Sequence, residues 1–343
     1  MMENLKISDK NEYPNYTYYN ISITKNVENQ GYAIFSENRT IPVLYKSDEY
    51  EVSVIRFSIP SSNIPIFLWR DNFSVSLTYN SVVFTTTLVF APSRNSNVPP
   101  DIGRAVYDYQ DFLDIINVAL ETSFNNFVAS PTYLTIPVID RPTEAPLLVY
   151  DSSTQLISLY SQPQYSIKKT VPIYIYFNSS LFTFFPAFQN FGNEIDPVLS
   201  HYFNVKDNGN NLDIVNGSTY IRITQEYESL FLWNDFQSLL FETDNIPVDN
   251  ELLGTQKNIT RKVLIDFEPI SQINDQSTIQ FYPSTNLKLY ELISNIELRN
   301  IDIRIFWNTK DGVTYPLTIN SGDKLTIKIE FKKKGVLINN FNF

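Results

Sequence analysis

The sequence predicts a mostly β protein, with antiparallel sheets and one main helix. Three observations carry this expectation. Short segments alternate apolar and polar residues with the two-residue period of a half-buried strand, as in LTIKIEF at 325–331, where Leu325, Ile327, Ile329 and Phe331 fall on one side. The chain is rich in residues that fit a pleated surface, with 25 Phe and 22 Tyr among its 343 residues. Turn-forming residues punctuate these segments at short intervals, chiefly Asn, Asp, Ser and 19 Pro, because only 9 Gly are present.

Taken in order, residues 1–40 are polar and aromatic, with one expected strand at 18–24, and read as an N-terminal arm. YEVSVIRFSIPSSNIPIF at 50–67 holds a strand ending at Pro60; Pro60 and Pro65 bracket a turn, since proline cannot donate to a ladder. FSVSLTYNSVVFTTTLVF at 73–90 predicts a hairpin turning near Asn80-Ser81. The helix is expected near 108–124. Asp108 is a good N-cap, Asp111 follows three residues later, and Tyr109, Phe112, Leu113, Ile116, Ala119, Leu120 and Phe124 share one helical face. Strands resume with PLLVY, QLISLY, VPIYIYF, TYIRITQEY and FQSLLFET, and continue with RKVLIDF, STIQFY, LKLYELI, IDIRIFW, VTYPLTI and LTIKIEF. Asp311-Gly312 is the strongest hairpin signature among them. This spacing matches a sandwich or a barrel.

Composition excludes several function classes. A net charge of −11 disfavours binding to nucleic acid, which needs a basic surface that releases counterions. Without cysteine there is no disulfide framework, thiolate metal site or Cys nucleophile. No run approaches the length of a membrane helix and no apolar leader core opens the chain, so a soluble protein is expected. The single histidine, His201, cannot supply a histidine-based triad or a multi-imidazole zinc site and reads as a packed or surface residue. No phosphate-binding glycine loop occurs. KDNGNNLD at 206–213 lacks the calcium-loop spacing and reads as an Asn-Gly turn. Carboxylates are plentiful, but their spacing nominates no glycosidase pair. No catalytic, cofactor-binding or metal residue is assigned and no cofactor is expected. Two charge runs remain. Residues 225–256 carry seven acids and no Lys or Arg, which reads as a solvated face more readily than as a docking site. Lys332-Lys333-Lys334 reads as the end of a strand, where lysines discourage edge pairing, before it reads as an address label.

Four segments bear a resemblance to a known family. VSVIRFSIPSSNIPIF (52–67), YDYQDFLDIINVAL (107–120), WNDFQSLLFETDNIPVDNE (233–251) and the closing block from IDFEP (265–269) through IDIRIFWNTKDGVTYPL to FKKKG (331–335) together resemble the minor capsid, or penton, protein of polinton-like viruses and virophages. Each is a pattern of apolar, Pro, Asn and Gly positions, so the specificity lies in their sum and order. The resemblance implies an antiparallel jelly-roll sandwich, eight strands in two sheets, with an inserted region that contains the main helix. It further implies a non-enzymatic structural virion protein that assembles inside the host cell. Five copies would form a homopentamer at each vertex of an icosahedral double-stranded DNA virus capsid, among trimers of the major capsid protein. The corresponding expectation is a jelly roll from 41–100 plus 260–335, an insertion at 101–259 and a C-terminal tail at 336–343. Two rival readings keep the β architecture: a major capsid protein with two jelly rolls, and a carbohydrate-binding or attachment module.

Overall fold

The computed structural model describes residues 14–90, 105–191, 199–215, 217–252, 260–269, 277–282 and 288–335. These form two units, one holding 14–64 with the chain from 236 onward, the other holding 65–90 with 105–235.

The first unit is a jelly roll. Its strands are β1 (Tyr16–Thr24), β2 (Ile34–Asn38), β3 (Tyr50–Pro60), β4 (Phe236–Glu242), β5 (Val263–Phe267), β6 (Thr278–Phe281), β7 (Asn300–Thr309) and β8 (Lys324–Lys333). One sheet runs β1-β8-β3-β6 and the other β2-β7-β4-β5, all pairs antiparallel. That order is two interlocked Greek keys, in which the first and last strands lie side by side. Alternation sets the register: Ile21 faces Ile327 and Ile23 faces Leu325, all buried between the sheets. Phe57 of β3 locks the sandwich, with its ring 4.7 Å from Phe241 and 5.0 Å from Phe267 on the opposite sheet and 5.3 Å from Phe281 on its own. Each such fully buried ring contributes about 1.5–3 kcal/mol by leaving water, with more from edge-to-face geometry.

The expected N-terminal arm is corrected by this pairing. Residues 16–24 and 34–38 are jelly-roll strands, because the closing strand offers β1 a full antiparallel partner from Tyr16↔Lys332 to Thr24↔Lys324. The corner between them is tied by Tyr19, whose hydroxyl donates to Glu37. Burial, then that bond to a carboxylate, pushes the Tyr19 phenol up to about 12. Tyr165 of the second unit, wholly buried, is also raised. Both therefore hold their protons in the folded state after the unfolded chain has begun to lose them. The contribution of Tyr19 is fully present below pH 10 and is lost as pH rises toward about 12, and Tyr165 acts in the same direction. Melting temperature should fall over that window, and Tyr19→Phe should flatten part of the fall in a pH series of thermal melts; an unchanged slope would rule Tyr19 out.

The second unit is inserted between β3 and β4, from 65 to 235. The expected insertion boundaries, 101 and 259, are both corrected. The 73–90 hairpin belongs to the insertion, since Ser74–Tyr79 pairs with Tyr174–Phe177, whereas Phe236–Glu242 pairs with β7 and β5 of the jelly roll. The tail at 336–343 lies outside the described residues. At the foot of the insertion the Asp235 amide donates to the Ile66 carbonyl at 2.7 Å, which holds the entering and leaving chains together.

Two sheets and a helix build this unit. One sheet has the order Asn190–Phe191, His201–Phe203, Tyr174–Phe177, Ser74–Tyr79, Val82–Thr87; the other runs Leu212–Val215, Ser218–Thr224, Leu156–Ser161, Leu147–Asp151. Neither repeats the strand order of the first unit, so the described residues contain one jelly roll rather than two. The helix α1 spans Tyr109–Val128; Asp108 caps it by accepting from the Gln110 amide at 2.8 Å. Phe112, Leu113, Ile116, Ala119, Leu120 and Phe124 are buried as the 3.6-residue period predicts. The helix outruns the expected end because Phe127 extends the apolar stripe. Ser130 and Pro131 then open the next turn of helix.

Candidate assembly surfaces

The jelly roll presents a braced apolar loop. Ser47, itself buried, places its hydroxyl 2.5 Å from the Ser294 carbonyl and 2.7 Å from the Ile296 carbonyl. The Ile293 amide donates to the Pro247 carbonyl at 2.8 Å, and Leu44 bridges to Leu298 on the far side. Between these fixings Ile293 and Ile296 stand 60% and 69% exposed, and Ile41 and Tyr45 are also exposed along the chain segment that meets Leu298. A loop whose backbone is fixed while its large side chains point to water loses little conformational freedom when a partner covers it.

The sequence motifs explain how such loops are held. In PSSN, Asn63 is buried and donates to the Pro60 carbonyl at 3.2 Å and to Asp323 at 2.9 Å, while accepting from the Asn320 amide at 2.7 Å. This fastens the end of β3 to the turn before β8. In FETDNIP, the buried carboxylate of Asp302 accepts from the Thr243 hydroxyl at 2.6 Å and from the Asp244 and Asn245 amides, each at 2.9 Å. Three charge-assisted donors replace the water that this carboxylate loses.

The acidic run at 225–256 is not one solvated face, and this corrects the expectation. Its members fall in both units, and several are taken up by distant cations. Glu242, nearly buried, meets Arg261 at 2.6 Å; Asp244 pairs with Arg304; Glu251 meets Lys288 at 2.9 Å. Sequence distance hid these pairs. The lysine cluster behaves as a strand end. Strand β8 runs to Lys333, whose ammonium lies 3.4 Å from Glu49, and Lys334 meets Glu291 at 2.9 Å. Loss of water works upward on the Glu49 carboxyl, but hydrogen bonds from Lys46 and Lys333 outweigh it and hold the group below its ordinary value.

His201 packs its ring 4.3 Å from Phe182, nearly parallel, and burial pushes its imidazole down, so it is neutral at pH 7. In KDNGNNLD the Asp207 carboxylate accepts from the Gly209 amide at 2.7 Å and Gly209 has φ +85°, a turn that uses its own oxygen ligands. Among the described residues no group of three or more metal-ligating side chains is present, and no helix is long and apolar enough to cross a membrane.

A jelly roll interrupted between β3 and β4 is a fold that known proteins share. The sequence family described as Sputnik minor capsid protein V18/19 matches residues 17–333. The chain belongs to that family. Structural protein V19 of Sputnik virophage is 28% identical over 204 residues, covering 54% of this chain and 94% of the relative. Protein V18 of the same virophage is 35% identical over 144 residues, 34% of this chain and 86% of that protein. A chain in the 3.5 Å cryo-EM structure of the Sputnik virophage superposes with a TM-score of 0.72 at 29% identity, covering 94% of this chain and 99% of that one. The mavirus penton protein shares the fold, with a TM-score of 0.63 at 16% identity and 92% and 99% coverage. This V18/19 family member is a minor capsid protein, a structural component of a virion. The PSSN and FETDNIP networks lie inside the matched span and within two of the four segments that carry the resemblance.

Proposed function

We propose that this minor capsid protein is a penton: five copies close a ring at the vertices of an icosahedral capsid around double-stranded DNA, seated among trimers of a major capsid protein. The observation that carries this reading is the near full-length match to a chain of the Sputnik particle, supported by the shared fold of the mavirus penton protein. Assembly takes place inside the host cell before release of the particle. The role requires no catalysis and no cofactor, and a chain of charge −11 is not the component that holds the genome.

A closed ring needs a heterologous contact, in which one patch of each subunit meets a different patch of the next. The braced loop carrying Ile293 and Ile296 is the surface we assign to one side of that contact. Purified protein should show a native mass of five 39.7 kDa subunits and five-fold rings in negative stain. A chain monomeric at every concentration, and absent from purified particles, would overturn the reading. Paired Ile293→Asp and Ile296→Asp changes should leave the circular dichroism unaltered while shifting the sedimentation profile to monomer. A trimer of high copy number in particles would instead identify a major capsid protein.

A further inference from the structure

We infer that the inserted unit carries a peptide-docking groove, formed by the open edge of strand Val82–Thr87 and helix α1, that takes an extended, lysine- or arginine-bearing segment of another protein by strand addition. Strand Val82–Thr87 is the last in its sheet. Its hairpin turns through Asn80 and Ser81, both at positive φ, which makes Tyr79↔Val82 the closing hydrogen-bonded pair. Pairing then alternates through Phe84 and Thr86 to Leu88, whose amide donates to the Phe73 carbonyl at 2.8 Å. The amides and carbonyls of Val83, Thr85 and Thr87 therefore point away from the sheet.

Natural edges are normally guarded by charge, proline or a covering element. This one reads VVFTTT, with none of the first two. Helix α1 treats the two sheets differently. On the edge strand Leu147–Asp151, the side chain of Asn117 donates to the Leu148 carbonyl at 2.9 Å and accepts from the Leu148 amide at 2.8 Å, occupying both groups as a neighbouring strand would. On the Val82–Thr87 side the helix meets the strand at Phe84, whose carbonyl accepts from the Ser123 hydroxyl and whose ring lies 5.1 Å from Phe127, and beside these contacts a groove of about 360 Å³ opens, lined by Thr86, Thr87 and Val89 on one wall and by Ile115, Val118 and Ala119 on the other. Val118 is 63% exposed in mid-helix.

Charge identifies the occupant. Asp111 and Asp114 line the groove, and α1 contains no Lys or Arg at all. Acids in a first helical turn complement the helix dipole, but Asp114 and Glu121 lie beyond that turn and have no such reason. A second copy pairing edge to edge would bring two uncharged strands and two acidic walls together. An extended segment whose helix-facing side chains, at every second position, include both β-branched residues and a cation places the former on Ile115 and Val118 and the latter on Asp111 and Asp114, while its backbone completes the sheet.

The test uses the full-length protein and a fluorescent peptide that carries valine and lysine together on one strand face, at every second position, with threonine between them. The expected result is saturable binding, at least about tenfold weaker for the same peptide with glutamate in place of lysine, and likewise for one N-methylated at alternate backbone nitrogens. Thr85→Pro, which removes one outward amide, and Val118→Lys, which charges the groove, should each weaken binding similarly; the proline also takes away the hydroxyl that partners buried Ser76 at 2.8 Å, so Val118→Lys is the variant that should leave the melting temperature unchanged. Equal affinity for the lysine and glutamate peptides, binding indifferent to both variants, or no binding at all would overturn the inference. So would self-association abolished by Thr85→Pro without peptide binding, which would assign the edge to a second copy.

Discussion

Replacing Trp233 with alanine should lower the melting transition of the inserted unit by about 10 °C while leaving the jelly-roll transition in place. Trp233 is fully buried, with its indole 5.3 Å from the rings of both Phe112 and Phe185 and 5.5 Å from Tyr109. Its ring nitrogen donates to the Phe184 carbonyl at 2.6 Å. The change removes a large side chain from a site walled by rings that cannot collapse inward without breaking their own edge-to-face contacts, and it leaves the Phe184 carbonyl with only the Ser229 hydroxyl, at 3.4 Å, as donor. Loss of about 3–5 kcal/mol is the usual outcome of such a truncation, and in a unit of this size each kcal/mol moves the midpoint by about 2–4 °C. Calorimetry distinguishes the outcomes. Two transitions, of which Trp233→Ala shifts one and a core change in β3 such as Phe57→Ala shifts the other, show that each core folds on its own. A single transition displaced by either change would mean that the cores melt together.

How much of this was legible in the sequence differs by element. Helix α1 was visible in its cap and apolar stripe, which are local properties of consecutive residues, while its last turn, carried by Phe127, ran past the expected end. Strand β8 was equally plain because Leu325, Ile327, Ile329 and Phe331 alternate without interruption. The jelly-roll identity came from the resemblance, while period and turns alone reached only a sandwich or barrel. The domain boundaries were not legible. The 73–90 hairpin and the strand at 236–242 carry the same two-residue pattern, and nothing in that pattern says which sheet each one joins. Strand β2 was missed because Ile34–Asn38 is exposed at every position but Phe35, an edge strand defined by its pairing with β7 rather than by its own apolar face. The loop surfaces were hidden for a related reason. Ser47 and Asp302 are ordinary polar residues until segments far away in the chain arrive over them.

Asp302 gives the sharpest consequence of that kind. By alternation it belongs to the outer face of β7, opposite Ile301 and Ile303, yet the 243–246 turn folds over it and buries it. Asp302→Ala leaves the Asp244 and Asn245 amides and the Thr243 hydroxyl facing an empty site, and hydrogen bonds to a charged acceptor are worth about 1.5–3 kcal/mol each. Allowing for partial relaxation, stability should fall by about 3–4 kcal/mol in urea unfolding. Asp302→Asn keeps one acceptor but turns an NH₂ group toward an amide that also donates, so it should recover only part of the loss. Thr243→Val removes a single bond, together with the acceptor of the Ile246 amide, and should cost less than either change at Asp302. A larger effect for Thr243→Val than for Asp302→Ala would sink this account of the turn. The turn also leads directly into Pro247, whose carbonyl fixes Ile293 in the exposed loop assigned to ring formation. Under conditions where Asp302→Ala is still folded, its rings should therefore dissociate at lower dilution than the unmodified protein, although residue 302 is itself buried within its own subunit. The loop would have lost the brace that lets two isoleucines meet a partner without first being ordered.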